Sequence, residues 1–476
     1  MRLPGILLAA TLPLFLGAAV PEGPFVVKPY LQLGHTPAPD KLALLWHAPD
    51  ADTAWSVEYR IGADGAWKKA DAPRASRVAV TGIAPHRVYR AALSGLEPGG
   101  TFTYRVNQGG KEVFSAEGRA PKSAGQPYRF VAFGDCGAGT TDQKPLAYRA
   151  FLAKPDFVVI PGDIVYEEGR ISEYHETFWP VYNADEPSPA TGVPLLRSTL
   201  FVAAPGNHDT GNRDLDKHAD GLGYFLYWDQ PLNGPLAKEG SAIVPPLIAS
   251  EANRRAFTSA AGDAYPRMTN FSFDYGNAHW TIVDSNPYVD WTNPELLKWV
   301  ERDLAAAQRA TWRFVMFHHP PFNSAREHLE QQQTRALAPL FEAGNVDVVF
   351  NGHVHNYQRS FPMRFKPDNK GTLLVGGRDG KTVRGRVING RWALDKAFDG
   401  RNDTTPDGVI YLITGAGGQK LYNPEQQDDR DSWQGFTDKF ISKVHSLTIA
   451  EVDGKTLTIR QVTGDGQELD RFTVTK

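Results

Sequence analysis

Five short apolar runs along the chain each end abruptly in polar residues. These runs are Phe130–Phe133, Phe157–Ile160, Leu200–Ala204, Phe314–Phe317 and Val346–Phe350. Continuous apolar runs of this length are typical of strands that are buried on both faces. Because helical patterns lie between them, the sequence predicts an α/β core whose functional side chains gather at the carboxyl ends of the strands.

Three helices are predicted beside these strands from apolar periodicity and from end signals. The first runs from about Lys144 to Lys154. The second begins after Asn293, a good N-cap residue, and has Pro294 at its first helical position. The third is predicted from about His328 to Glu342.

A different pattern occupies residues 25–120, where short alternating runs are separated by Gly-containing turns. The predicted strands are Leu42–Trp46, Ser56–Arg60, Val78–Val80, Val88–Leu93 and Phe102–Val106. Strands at this spacing predict a small all-β sandwich, and the Pro-containing linker at 120–127 separates it from a second domain over residues 128–476. At the end of that domain, Leu447–Val452 and Leu457–Val462 flank Asp453-Gly454 and predict a hairpin that completes a sheet.

The N-terminus has the features of a secretory signal peptide over residues 1–19. Arg2 precedes the apolar run Ile6–Leu16, and small residues follow at Gly17-Ala18-Ala19. A membrane anchor is the alternative, but the run is shorter than the roughly 20 apolar residues that span a bilayer. The prediction is therefore an exported protein, periplasmic or secreted, with no membrane span.

Composition excludes several kinds of partner and site. The 476 residues allow two or three domains, and the formal net charge of −3 gives no reason to expect nucleic acid or an anionic membrane as a partner. Cys136 is the single cysteine, so the chain has no internal disulfide and no cysteine-based zinc site.

Polar side chains with metal-ligand chemistry follow the apolar runs, each beside a Gly or Pro. They are Asp135, Asp163, Asn207, His318, His353 and His355. Oxygen and imidazole ligands without thiolate suit Zn, Mn and Fe. Because one ion takes about four to six ligands, six or seven converging candidates indicate two ions that share one carboxylate. Two such ions are a standard arrangement for displacement at phosphorus.

Five segments resemble the ordered motifs of the calcineurin-like metallophosphoesterases. They are Asp135-Cys136-Gly137, Gly162-Asp163-Ile164-Val165-Tyr166, Gly206-Asn207-His208-Asp209, Val315-Met316-Phe317-His318 and Gly352-His353-Val354-His355. The region before them resembles the fibronectin-III-like domain of plant-type purple acid phosphatases. The resemblance implies an α/β (α+β) metallophosphoesterase β-sandwich flanked by helices, preceded by that smaller sandwich.

Tyr166 narrows the resemblance to the purple acid phosphatases, in which a tyrosine phenolate at this place binds Fe(III). A half-buried tyrosine at a strand end is the alternative. The implied first metal takes Asp135, Tyr166, His355 and the bridging Asp163, and the implied second takes Asp163, Asn207, His318 and His353. The cofactors implied are thus Fe(III) and a divalent ion, Fe, Zn or Mn. His319, next to His318, is either a neighbour of the ligands or exposed.

The resemblance also implies a mechanism, in which metal-bound hydroxide attacks the phosphorus of a small-molecule phosphate monoester. His208 is the expected proton donor to the leaving oxygen, with Asp209 orienting it. His328 lies where plant-type relatives have a substrate-contacting histidine, although a solvent-facing residue is an equal alternative. Arg359 is more readily explained by a structural salt bridge than by a phosphate contact.

Two long insertions, about 210–270 and 364–406, leave the substrate open. A phosphodiesterase or nucleotidase on the same scaffold is the close alternative, and a non-enzymatic exported binding protein is a more distant one.

Overall fold

The computed structural model describes residues 23–368 and 387–476. The predicted signal peptide, residues 1–19, lies outside the described residues, as do residues 369–386 of the second insertion. Across the two described ranges, no helix has both the length and the apolar character needed to cross a membrane.

Two four-stranded antiparallel sheets form the N-terminal part of the chain. In spatial order the first contains Val27–Gln32, Lys41–Pro49, His86–Ser94 and Arg74–Val78, and the second contains Lys68–Lys69, Trp55–Ile61, Thr101–Gln108 and Lys111–Arg119. Trp46 from one sheet and Trp55 from the other pack with ring centroids 5.6 Å apart, so the sheets face each other. The predicted sandwich is confirmed. Of the predicted run Val78–Val80, however, only Val78 lies in a strand, as the last residue of Arg74–Val78.

Two larger sheets lie in the described residues that follow the linker at 120–127. In spatial order the six-stranded sheet contains Leu200–Ala204, Phe157–Pro161, Tyr128–Ala132, Ser446–Asp453, Thr456–Thr463 and Glu468–Thr475. The seven-stranded sheet contains Phe271–Tyr275, Ala278–Ile282, Trp312–Met316, Val348–Asn351, Ile410–Thr414, Tyr357–Ser360 and Thr437–Ile441. All five apolar runs are strands, and the predicted C-terminal hairpin is confirmed as part of the first sheet.

These two sheets pack face to face through aromatic side chains. Phe130 of the six-stranded sheet lies 5.1 Å from Trp280 and 5.6 Å from Phe350 of the other sheet, between ring centroids. Within each sheet, the strands that precede the candidate residues run parallel to one another. Their carboxyl ends therefore meet at one edge of the sandwich.

Helices flank the two sheets, and the described residues also contain short two-stranded ribbons. The α-helices are Gln143–Leu152, Ile171–Glu173, Trp179–Tyr182, Asn207–Thr210, Tyr224–Tyr227, Glu251–Ala261, Ala264–Arg267, Pro294–Ala306 and Ala338–Ala343. A π-helical turn covers Tyr174–Phe178, and 3-10 turns cover Ala307–Arg309, Gln333–Leu337, Pro424–Asp428 and Arg430–Ser432. The ribbons pair Asn183–Ser188 with Gly192–Pro194 and Met363–Pro367 with Gly390–Leu394.

The end signals predicted two of the helices well and the third poorly. The Asn293 side chain accepts hydrogen bonds from the N–H groups of Glu295 (3.0 Å) and Leu296 (3.3 Å), as an N-cap should. The helix predicted from His328 instead begins as a 3-10 turn at Gln333. His328 has φ of 61°, a left-handed conformation that does not start a right-handed helix.

The sandwich docks on the larger unit through buried aromatic and imidazole side chains. His47 Nε2 lies 2.9 Å from Tyr30 Oη, which donates to the carbonyl of Tyr227 at 2.7 Å. Tyr227 Oη in turn lies 3.0 Å from His86 Nε2 and 3.3 Å from His175 Nε2. Three imidazoles thus meet where the N-terminal sheets contact the helical segments of the larger unit.

Folding stability is expected to fall in acid because these imidazoles are buried in their neutral form. Burial, together with His86, lowers the pKa of His175 to about 4 from its usual 6.5. Between these values only the unfolded chain takes up the proton, so the stability present above pH 6.5 is lost as the pH falls. The measurement is the free energy of unfolding in urea at pH 7.5 and at pH 4.5. Between these pH values we expect the wild-type protein to lose about 2 kcal/mol more than His175→Gln. An equal loss in both proteins would exclude His175 as a cause.

Candidate metal centre

Sharp turns bring the candidate side chains to one edge of the sandwich. Asp135, Asp163 and His353 have φ values of 58°, 51° and 66°, so the backbone reverses directly at each of them. The neighbouring glycines allow close approach: a Cβ at Gly162 would lie 2.5 Å from Nδ1 of His318. The predicted role of glycine beside these residues therefore agrees with the geometry.

One group of donors surrounds the Tyr166 hydroxyl. Its Oη lies 3.1 Å from Asp135 Oδ1, 3.1 Å from Asp163 Oδ2 and 3.3 Å from His355 Nε2. Tyr166 is buried rather than half-buried. These four residues are the set predicted for the first metal.

A second group surrounds His318 and shares Asp163 with the first. His318 Nε2 lies 3.1 Å from Asp163 Oδ2 and 3.0 Å from Asn207 Oδ1. Ligand atoms of Asp163, His318 and His353 all lie within 4.8 Å of one another. The same carboxylate oxygen therefore faces both groups, as a bridging ligand must.

Each imidazole in these groups has its second nitrogen held by a protein oxygen. His318 Nδ1 lies 2.9 Å from the carbonyl of Pro161, and His355 Nδ1 lies 2.8 Å from that of Lys420. His353 Nε2 lies 2.9 Å from Gln331 Oε1. Such partners fix ring orientation in metal sites and leave the opposite nitrogen for the ion. The donor set, made of oxygen and imidazole, fits two ions of the predicted kind.

Opposite charges compensate each other inside the site. Burial raises the pKa of Asp163, but the imidazoles of His318 and His208 outweigh burial and hold it below its usual range. Burial lowers the pKa of His318, but Asp163 reverses the effect and raises it to about 9. Burial, followed by Asp135 and Asp163, raises the pKa of Tyr166 well above its usual value. A phenolate here therefore needs a nearby cation.

His208 lies beside these groups, with an orientation that differs from the predicted one. Its ring packs on Tyr166 with centroids 4.3 Å apart, and Nε2 lies 4.0 Å from Asp163 Oδ2. Nδ1 donates to the carbonyl of Glu167 at 2.7 Å. The prediction that Asp209 orients His208 is wrong, because the Asp209 carboxylate accepts from the N–H groups of Gly206 (2.8 Å) and Ile164 (3.0 Å) instead.

The remaining sequence candidates lie in three different environments. His319 is buried, with Nδ1 2.9 Å from Ser285 Oγ and its ring 4.2 Å from that of His353, so it is not exposed. The His328 ring lies 4.1 Å from the His353 ring, at the rim of the site. Arg359 forms a bidentate salt bridge with Asp470, at 2.8 and 3.2 Å, as predicted.

Two side chains near the site were missed from the sequence. The Tyr422 ring stacks on His355 with centroids 4.0 Å apart, and Gln331 contacts His353. Tyr422 lies eight residues after the strand Ile410–Thr414. This strand is an apolar run followed by Gly415, which is the same pattern that marked the other five strands. Gln331 lies in a polar segment without any such signal.

Comparison with known proteins gives consistent results for this domain. Residues 128–357 match the family model described as calcineurin-like phosphoesterase. The curated relatives include two proteins of Arabidopsis thaliana. Purple acid phosphatase 23 is 22% identical over 301 residues, and the match covers 57% of each chain. Purple acid phosphatase 21 is 24% identical over 311 residues, and the match covers 63% of this chain and 60% of the relative. The chain thus spans little more than half the length of these relatives.

Solved structures share the fold at low sequence identity. Purple acid phosphatase PPD1 from yellow lupin (Lupinus luteus) seeds has a TM-score of 0.64 and 18% identity, covering 94% of this chain and 74% of that chain. PhoD has a TM-score of 0.55 and 12% identity, covering 96% of this chain and 92% of that chain. The architecture, including the β-rich N-terminal region, is therefore shared with a purple acid phosphatase.

Proposed function

Because this chain contains a calcineurin-like metallophosphoesterase domain, we propose that it is a binuclear-metal phosphoesterase that hydrolyses phosphate monoesters, an acid phosphatase. One observation carries the proposal: two groups of donor side chains share a single carboxylate oxygen of Asp163, 3.1 Å from Tyr166 Oη and 3.1 Å from His318 Nε2. The relatives named as purple acid phosphatases support the monoester class.

The two groups would hold different ions. Asp135, Tyr166, His355 and Asp163 would bind Fe(III), because a hard ion favours anionic oxygen, including a phenolate. Asp163, Asn207, His318 and His353 would bind a divalent ion, Fe, Zn or Mn. This assignment is supported by the distances within each group and by the carbonyl and amide partners of the imidazoles.

When bound, the two ions would activate a water molecule at acidic to neutral pH and neutralise charge on the phosphoryl oxygens. His208 would donate a proton to the leaving oxygen from Nε2, since Nδ1 already donates to the Glu167 carbonyl. His328, at the rim, would contact the ester. The substrates would be small-molecule phosphate esters, and the predicted signal peptide would export the protein to the periplasm or beyond.

The first experiment measures metal content and the visible spectrum of purified protein, together with a pH profile on p-nitrophenyl phosphate. We expect two metals per chain including iron, a purple or pink colour and an acid optimum. Two metals without iron or colour, with faster hydrolysis of bis-p-nitrophenyl phosphate, would move the function to a phosphodiesterase. Full metal occupancy without any ester hydrolysis would favour a binding protein.

Tyr166→Phe is expected to abolish the visible colour, because a phenolate bound to Fe(III) is the proposed chromophore. The absorption spectrum of iron-loaded protein provides the measurement. Tyr422→Phe is the matched control, since the Tyr422 ring stacks on His355 and its hydroxyl is not in the proposed donor set. A Tyr166→Phe protein that keeps its colour would remove Tyr166 from the metal ligands.

A further inference from the structure

The loop Glu167–Arg170 sets the orientation of His208. Its carbonyl at Glu167 accepts the Nδ1–H of His208 at 2.7 Å, which places the proton on Nδ1 and leaves Nε2 facing the metal centre. The Glu167 side chain is largely exposed, and its carboxylate is 3.7 Å from the imidazole. The backbone of this loop, rather than an acidic side chain, therefore holds the ring.

The carboxylate of Glu173 in turn holds the loop. Oε1 accepts the N–H groups of Glu167 at 2.7 Å and Glu168 at 3.0 Å, and Oε2 accepts the N–H of Arg170 at 2.8 Å. Hydrogen bonds to an ionised acceptor are roughly twice as strong as neutral ones. One charged group thus accepts three backbone N–H groups of the loop that carries the carbonyl contacting His208.

The first insertion completes this support from the other side. Asp220 accepts Nε of Arg170 at 2.8 Å and the hydroxyl of Ser172 at 2.9 Å, and its carbonyl accepts the N–H of Ile171 at 2.8 Å. Gly169 packs against the turn that carries His208, where a Cβ would lie 2.7 Å from the His208 carbonyl. The loop is therefore fixed between two carboxylates and the turn itself.

We propose that Glu173 is a positioning residue for His208, and that the first insertion, through Asp220, has the same role. This inference rests on the proposed function, since it assigns His208 a proton to deliver. Without the Glu173 carboxylate, the Glu167 carbonyl loses its fixed position and the imidazole loses the contact that aims Nε2.

The test compares Glu173→Gln with Glu176→Gln, which changes an exposed carboxylate three residues further along the same helical segment. We expect Glu173→Gln to lower kcat on phenyl phosphate about 10-fold and on p-nitrophenyl phosphate less than about 2-fold, because only the poorer leaving group needs a well-aimed proton. KM and metal content should match the wild-type protein. Glu176→Gln should match it on both esters.

A crystal structure of Glu173→Gln provides a readout apart from activity. We expect the His208 ring to turn, with Nδ1 more than about 3.5 Å from the Glu167 carbonyl. An equal loss on both esters, or an unmoved His208, would leave Glu173 as a helix cap only and overturn the proposal. If Glu173→Gln does not fold, Asp220→Asn is tested in the same way. A wild-type protein that hydrolyses neither ester contradicts the proposed function, whereas the crystal structure still tests Glu173.

Discussion

Replacing Asp163 with asparagine is expected to lower turnover on the order of 10³-fold and to reduce bound metal. Asp163 Oδ2 faces both donor groups, at 3.1 Å from Tyr166 Oη and from His318 Nε2. An amide has no charge to share between two cations, and its NH₂ group cannot coordinate either of them. Metal content per chain and kcat on p-nitrophenyl phosphate are the two measurements.

Asp156→Asn is the matched control for this substitution. Asp156 precedes the strand Phe157–Pro161 and Asp163 follows it, so the two carboxylates lie at opposite ends of one strand. Asp156 is also buried, and it accepts the N–H of Arg129 at 2.8 Å. The control should keep its metal and its turnover. Normal metal content and turnover in Asp163→Asn would remove Asp163 from the bridging position.

The strands and their carboxyl ends could be predicted from the sequence because both follow from local patterns. An apolar run of four or five residues is long enough for a strand buried on both faces, and a Gly beside a polar residue marks a sharp turn. The order of the strands is not encoded in this way. The Ile410–Thr414 strand, which lies between Val348–Asn351 and Tyr357–Ser360, was not predicted as part of the core.

The failures have tertiary causes. The segment from His328 has helical periodicity, but packing of the His328 ring on His353, 4.1 Å away, accompanies a left-handed backbone that delays the helix. Asp209 is adjacent to His208 in sequence, yet its carboxylate points to backbone N–H groups on the other side of the turn. The actual partner of His208 is a backbone carbonyl, which no residue type reveals.

Replacing His208 with alanine is expected to lower kcat on phenyl phosphate about 10²-fold, with a smaller loss on p-nitrophenyl phosphate. The imidazole is 27% exposed, whereas the proposed ligands His318 and His355 are almost fully buried, so it lies where a leaving group can reach it. Metal content should stay near normal, since Nε2 is 4.0 Å from Asp163 and outside the donor set. The measurements are kcat on both esters and metal per chain.

Chemical rescue separates a proton donor from a structural imidazole in this variant. Because His208→Ala leaves space beside the Tyr166 ring, added imidazole should restore part of the lost turnover on phenyl phosphate and little on p-nitrophenyl phosphate. His35→Ala, which changes an imidazole paired with Asp229 in the N-terminal part of the chain, is the control and should show neither loss nor rescue. Loss of a metal from His208→Ala would instead make His208 a ligand. Equal losses on both esters without rescue would assign it to binding of the phosphoryl group.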